Sequence, residues 1–198
     1  MISIDNNRQL LEKLASTVNL TLGASTVSTK RCSVIEKQLS FYFDFKFYTL
    51  FDLSYTPFVS YNLLSNGNIS FLLDGSFNAW NSASKLERLS LSTLNIIEYI
   101  KIVLETTRFL NSRIKLVTSI EDIDFNRMPE IEKLHQIESA IKPPVISYRN
   151  NEFTVLSNAI EGSQLFDCLI SVQTSGEITI TDKNLILTEI PADELVLD

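Results

Sequence analysis

Four phenylalanines at every second position constrain this chain more than any other feature. They are Phe41, Phe43, Phe45 and Phe47, in the run Ser40-Phe41-Tyr42-Phe43-Asp44-Phe45-Lys46-Phe47-Tyr48. An extended strand places side chains two apart on the same face, so the spacing predicts a strand with an aromatic face, from about Val34 to Tyr48. Burying each ring is worth roughly 2–3 kcal/mol before the entropy of ordering it is subtracted. The stretch from Phe41 to Trp80 holds 13 of the 19 aromatic residues, which places the core of the first half there.

Around that row the pattern gives runs of strands separated by helices. A short first helix carries Leu10, Leu11 and Leu14 on one side, and the Thr/Val/Leu-rich segment from Asn19 to Val27 predicts a strand. Leu53 to Leu64 predicts a partner strand with Pro57 at an edge or bulge. Asn66-Gly67 predicts a hairpin to Ile69–Leu73. A long helix is expected from about Ser92 to Asn111, with Glu98, Lys101, Glu105, Arg108 and Ser112 in one narrow polar stripe. Its apolar arc, extended by Ile102 and Phe109, is wider than contact with a single sheet requires. Ile114 to Val117 predicts a short strand, and Pro129 opens a helix that buries Ile131, Leu134, Ile137 and Ile141. The remainder alternates as strands, with turns at Asn150-Asn151, Ser175-Gly176 and Asp182-Lys183-Asn184.

Strands in runs separated by helices predict an α+β fold of antiparallel sheets with packed helices, in two similar-sized halves. Their order is α-β-β-β-α-β and then α-β-β-β-β. The acidic segment Ser119–Arg127 suggests a division into 1–118, the aromatic-rich sheet with the long helix, and 119–198, a helix plus a β meander. The two can also form one continuous domain.

Length and charge exclude several functions. A chain of 198 residues buries roughly two-thirds of its extended surface and needs no metal or disulfide staple. The formal charge is −7 and the 17 basic residues are scattered, which argues against nucleic acid and against an anionic membrane surface. Cys32 and Cys168 lack metal or redox spacing and read as reduced thiols. No leader and no apolar run of about 18 residues is visible. A cytoplasmic location is expected if nothing was removed from the chain.

No catalytic constellation emerges. His135 is the only histidine, so any imidazole mechanism must use it. Glu132-Lys133-Leu134-His135 has the spacing of one arm of a di-iron site, without the second arm or the further carboxylates. Glu121, Asp122 and Asp124 lack the glycine bend and ligand series of a calcium loop. The glycines are too dispersed for a phosphate-binding loop. No catalytic residue, metal or cofactor is assigned.

The leading expectation is a non-catalytic protein–protein interaction module of chaperone, immunity or adaptor type. Its partner is another protein, or a second copy docking through Ile102 and Phe109. The surface residues named for contact are Trp80 and Phe77 on the Asp74–Asn81 loop, with Tyr55 and Tyr61 on the neighbouring strand. The alternative is a small-molecule-binding protein or enzyme with an apolar pocket between the Phe-rich sheet and the long helix, lined by Phe43, Phe45, Ile97 and Leu104. A third reading gives acid–base work to Glu121, Asp122, Asp124 or Glu130.

Overall fold

The computed structural model describes residues 4–23, 27–108 and 112–192. Among them are four α-helices and two antiparallel sheets of four and five strands, an α+β arrangement in the expected element order. The chain forms two compact units, Met1–Leu89 and Ser90–Asp198. They part ahead of the expected long helix, which among the described residues spans only Ile96–Thr106, rather than at the acidic segment after residue 118. Bonds within the second unit hold the helix there: the Tyr99 hydroxyl donates to the Gly176 carbonyl at 2.6 Å, and Lys101 Nζ bonds Thr118 and Asp122.

In the first unit, α1 (Ile4–Leu22) lies against a meander of β1 (Cys32–Gln38), β2 (Lys46–Asp52), β3 (Val59–Ser65) and β4 (Ser70–Leu72), paired in that order. Leu14, Ala15 and Val18 of α1 pack with Tyr48, Leu50 and Leu63 of the sheet. Of the expected strand over Asn19–Val27, Asn19–Leu22 are instead the last residues of α1, and residues 24–26 lie outside the described residues. Burial of Val18 outweighs the β-branched composition, and Thr17 and Thr21 donate back to the carbonyls of Lys13 and Thr17. Gly23, at φ +66°, adopts the left-handed conformation that closes a helix. Asn19 then clasps the returning chain: its Nδ2 donates to the Val27 carbonyl and its Oδ1 accepts the Val27 N–H.

Only Phe47 of the phenylalanine row lies in a strand. β1 ends at Gln38 and β2 begins at Lys46, so Phe41, Phe43 and Phe45 sit in the connecting loop. Phe41 and Phe45 are fully buried, whereas Phe43 is 88% exposed. The loop is held by one carboxylate, Glu87, which accepts the backbone N–H groups of Phe43, Asp44 and Phe45. Three successive N–H groups converging on an anion favour a turn over a ladder. The rings then pack inward: Phe41 lies 6.4 Å from Trp80, and Phe45 stacks on Phe71 at 6.0 Å. Trp80 belongs to α2 (Asn78–Leu86), a helix replacing the expected loop. The Asn66-Gly67 turn joins β3 to β4, with Gly67 at φ +84° and Asn66 Oδ1 accepting from Asn68 and Ile69.

In the second unit, α3 (Ile96–Thr106) precedes β5 (Lys115–Val117) and α4 (Ile131–Ala140). Four strands complete it: β6 (Val145–Arg149), β7 (Glu152–Glu161), β8 (Gln164–Gln173) and β9 (Ile178–Leu187). The sheet runs β5-β7-β8-β9, and β6 also pairs with β7. Asn150 and Asn151 both have positive φ, so the β6–β7 connection is the tight turn their chemistry predicts. Asp182-Lys183-Asn184 is not a turn; β9 runs straight through it, with a register shift near Leu169/Ile170 of β8 absorbing the irregularity. On α4, Ile137 is fully buried but Ile131 is 74% exposed, so the buried stripe is narrower than expected. Val117, Ile123, Ile137, Ile160, Leu165, Ile190 and Ala192 form one core cluster of this unit.

Candidate functional site

The four-stranded sheet has one face on α1 and a second face that is finished only at one end. Register places Phe47, Leu64 and Phe71 on that second face, where the 39–45 loop and α2 cover them. At the opposite end the same face carries Phe51, whose ring meets Phe58 edge-on at 5.6 Å, and Ile35 on β1. The β2–β3 loop adds Leu53 and Tyr55. Ile35, Phe58 and Leu53 are each more than half exposed and Tyr55 nearly so. Clustered exposed apolar side chains of this kind mark contact surfaces more often than scattered ones do. Beneath the end lies Asp52, fully buried; one oxygen accepts the Ser54 N–H while Oδ2 has no hydrogen-bond partner in the structure.

The four residues named from sequence in the first unit are not brought together. Tyr55 lies on this open end. Tyr61 is half-buried and packs on the α1 side with Leu14, Leu50 and Leu63. Phe77 is half-buried at the start of α2, and Trp80 is 2% exposed, a core ring that no partner reaches. Ile102 is 5% exposed, so its side chain is buried within the chain and not available to a second copy. Phe109 lies outside the described residues. The residues of the expected pocket divide between the units: Phe43 and Phe45 belong to the first, Ile97 and Leu104 to the second. Phe45 and Leu104 are core residues.

Two of the acidic residues considered for catalysis, Asp122 and Asp124, have structural partners. Asp122 accepts from Lys101 Nζ at 2.7 Å, from the Thr118 N–H and hydroxyl, and from the Ser119 N–H. Burial pushes its carboxyl up, but the ammonium and these donors outweigh that and hold it below the usual range. Asp124 pairs with Lys115 at 2.6 Å. His135 is exposed on α4, 3.9 Å from Glu138. Among the described residues no group of three or more His, Cys, Asp or Glu side chains is placed to hold a metal ion.

A second feature lies in the other unit. A cleft of about 510 Å³ is lined by Ile114, Ile178 and Ile180, with Ser112, Glu161 and Lys183 among its polar groups. Glu161 accepts from both the Ser112 hydroxyl and the Lys183 ammonium, and that ammonium lies 4.1 Å from the centre of the Phe166 ring. Burial lowers the Lys183 pKa. Sequence missed this group because Lys183 stands between Asp182 and Asn184, a composition that imitates a turn.

Charge differs sharply between the units. Residues 1–89 carry eight Lys/Arg and seven Asp/Glu, whereas 90–198 carry nine and seventeen. No helix among the described residues is long and apolar enough to cross a membrane. Comparison with family models, curated proteins and solved structures finds no match.

Proposed function

We propose that the protein is a non-catalytic interaction module whose first unit binds another polypeptide at the open end of its sheet. One observation carries this reading: at the end of the sheet where Phe51 meets Phe58, Ile35 on β1, Phe58, and Leu53 and Tyr55 of the β2–β3 loop are each exposed, whereas the other end of that face is closed. Aromatic and aliphatic side chains left exposed as a group gain free energy when a partner excludes water from them. The test replaces Phe58 with a photoreactive phenylalanine analogue in cells of the native source. Leu94, 95% exposed in the second unit, is the control position. A discrete, saturable adduct at position 58 and none at 94 supports the reading; equal labelling at both overturns it.

The cleft beside Lys183 favours a second reading, a small-molecule-binding protein. Its isoleucine floor suits an apolar ligand body, and Ser112, Glu161 and Lys183 suit a polar head. A thermal-shift screen tests it: stabilisation by amphiphilic ligands that Ile180→Trp abolishes supports this reading, and an unresponsive protein removes it.

A further inference from the structure

β9 carries one residue too many, and that residue decides where Lys183 points. Ile178 and Ile180 stand opposite Val172 and Ile170 of β8, but Asp182, not Thr181, stands opposite Leu169. Thr181 is therefore a bulge, and its hydroxyl donates to the Leu169 carbonyl at 3.1 Å. Strict alternation would put Lys183 on the face away from Ile178 and Ile180. The bulge sets it opposite Cys168 instead, on the sheet face that also carries Phe166, Ile170 and Ile180.

There the lysine meets Glu161, whose carboxylate accepts from the ammonium and from the Ser112 hydroxyl. Burial strips part of the ammonium's water, which lowers the Lys183 pKa. The Lys183 and Glu161 side chains nevertheless remain 30% and 25% exposed, and both line the cleft beside Ile178 and Ile180. An ammonium has three donors and a carboxylate about four acceptor sites, so the pair can bond further groups of both kinds. Its own charges cancel. An incoming carboxylate would bring like charge to Glu161 and Asp182, and an incoming ammonium would bring it to Lys183. A carboxamide brings none, and its C=O and N–H match the two members of the pair.

We propose that this cleft binds an uncharged carboxamide with a short aliphatic body. The amide oxygen accepts from Lys183, the amide N–H donates to Glu161, and the chain lies along Ile114, Ile178 and Ile180. This rests on the small-molecule reading of the cleft and names its ligand class. The isoleucines supply apolar burial, and the ion pair selects the head by the hydrogen bonds that a wrong head leaves unmade.

The test titrates the full chain with hexanamide, methyl hexanoate, hexanoate and hexylammonium, following the isoleucine methyl signals by NMR. Hexanamide is expected to shift Ile114, Ile178 and Ile180 and to saturate with a Kd of about 1 mM or below. The ester lacks the N–H and should bind more than about fivefold more weakly. The two ions should bind more than about tenfold more weakly than the amide. Glu161→Gln leaves the ammonium unopposed and should turn the preference towards hexanoate; Lys183→Met should turn it towards hexylammonium. Glu161→Gln keeps the side chain's shape, so the first inversion is readable even where Lys183→Met fails to fold. A purely structural ion pair would give neither inversion. Parent chain that binds hexanoate or hexylammonium as tightly as hexanamide, or an unchanged preference in Glu161→Gln, overturns the proposal. Equal shifts with all four probes remove the amide class and leave the small-molecule reading standing. Isoleucine methyls that respond to no probe remove both.

Discussion

Two ends of one sheet face are built from similar side chains and treated in opposite ways. At the closed end Phe41, Phe45, Phe71 and Trp80 are brought together under α2 and the 39–45 loop. At the open end Phe51 and Phe58 meet edge-on, and Ile35 on β1 and Leu53 and Tyr55 in the β2–β3 loop are exposed. Aromatic content therefore does not decide burial. A lid decides it, and the lid depends on a single carboxylate in reach of three backbone N–H groups.

The largest expected difference comes from truncating one ring at each end. Trp80→Ala empties a fully enclosed site and should cost about 3–5 kcal/mol in chemical denaturation. Comparable losses at the two ends would break the comparison. Next comes the lid's anchor: Glu87→Gln keeps the shape but weakens the charge-assisted bonds to Phe43, Asp44 and Phe45, a loss of about 1–3 kcal/mol. Hydrogen exchange should speed up at those three amides and stay unchanged in β3.

A pH effect sharpens the contrast further. The Tyr42 hydroxyl, 2.7 Å from Ser84 at the closed end, is pushed up to about 12 by burial, with Glu87 adding to the rise and the Ser84 bond opposing it. A phenol that holds its proton better when folded stabilises fully below its ordinary value of 10.0 and loses that contribution as pH rises towards 12. Tyr42→Phe has no proton to lose, so its stability should fall less steeply than the parent's between those pH values. An equal slope would show that this hydroxyl is not enclosed. The smallest effect belongs to the open end, where Phe58→Ser should cost about 1 kcal/mol or less, most of it the lost ring contact with Phe51.

The sequence carried the class of fold and most of the element order, because runs of strands punctuated by helices read directly from periodicity and turn residues. It misplaced the aromatic row for a definite reason. A period of two is common to a strand and to a loop whose alternate rings dip into a core, and the deciding partner, Glu87, is more than forty residues away. The expected strand failed similarly over Asn19–Leu22, since β-branched residues serve a helix once Val18 is buried against a sheet. Among the described residues named for contact, only Tyr55 stands at the open end. Trp80 and Ile102 were chosen for their size and for the width of an apolar arc, and size and apolarity are also what a core selects. Ile35 and Phe58 carried no such signal, because exposure depends on which end of a sheet a lid covers.

The most direct measurement follows one variant through two readouts. Ile35→Ser/Phe58→Ser, carrying the photoreactive residue at position 55, is compared with the same labelled protein without those changes. Retention of most of its denaturation midpoint with loss of the cross-linked partner is the predicted result. A collapse in stability like that of Trp80→Ala, or an adduct formed as efficiently as before, would contradict it.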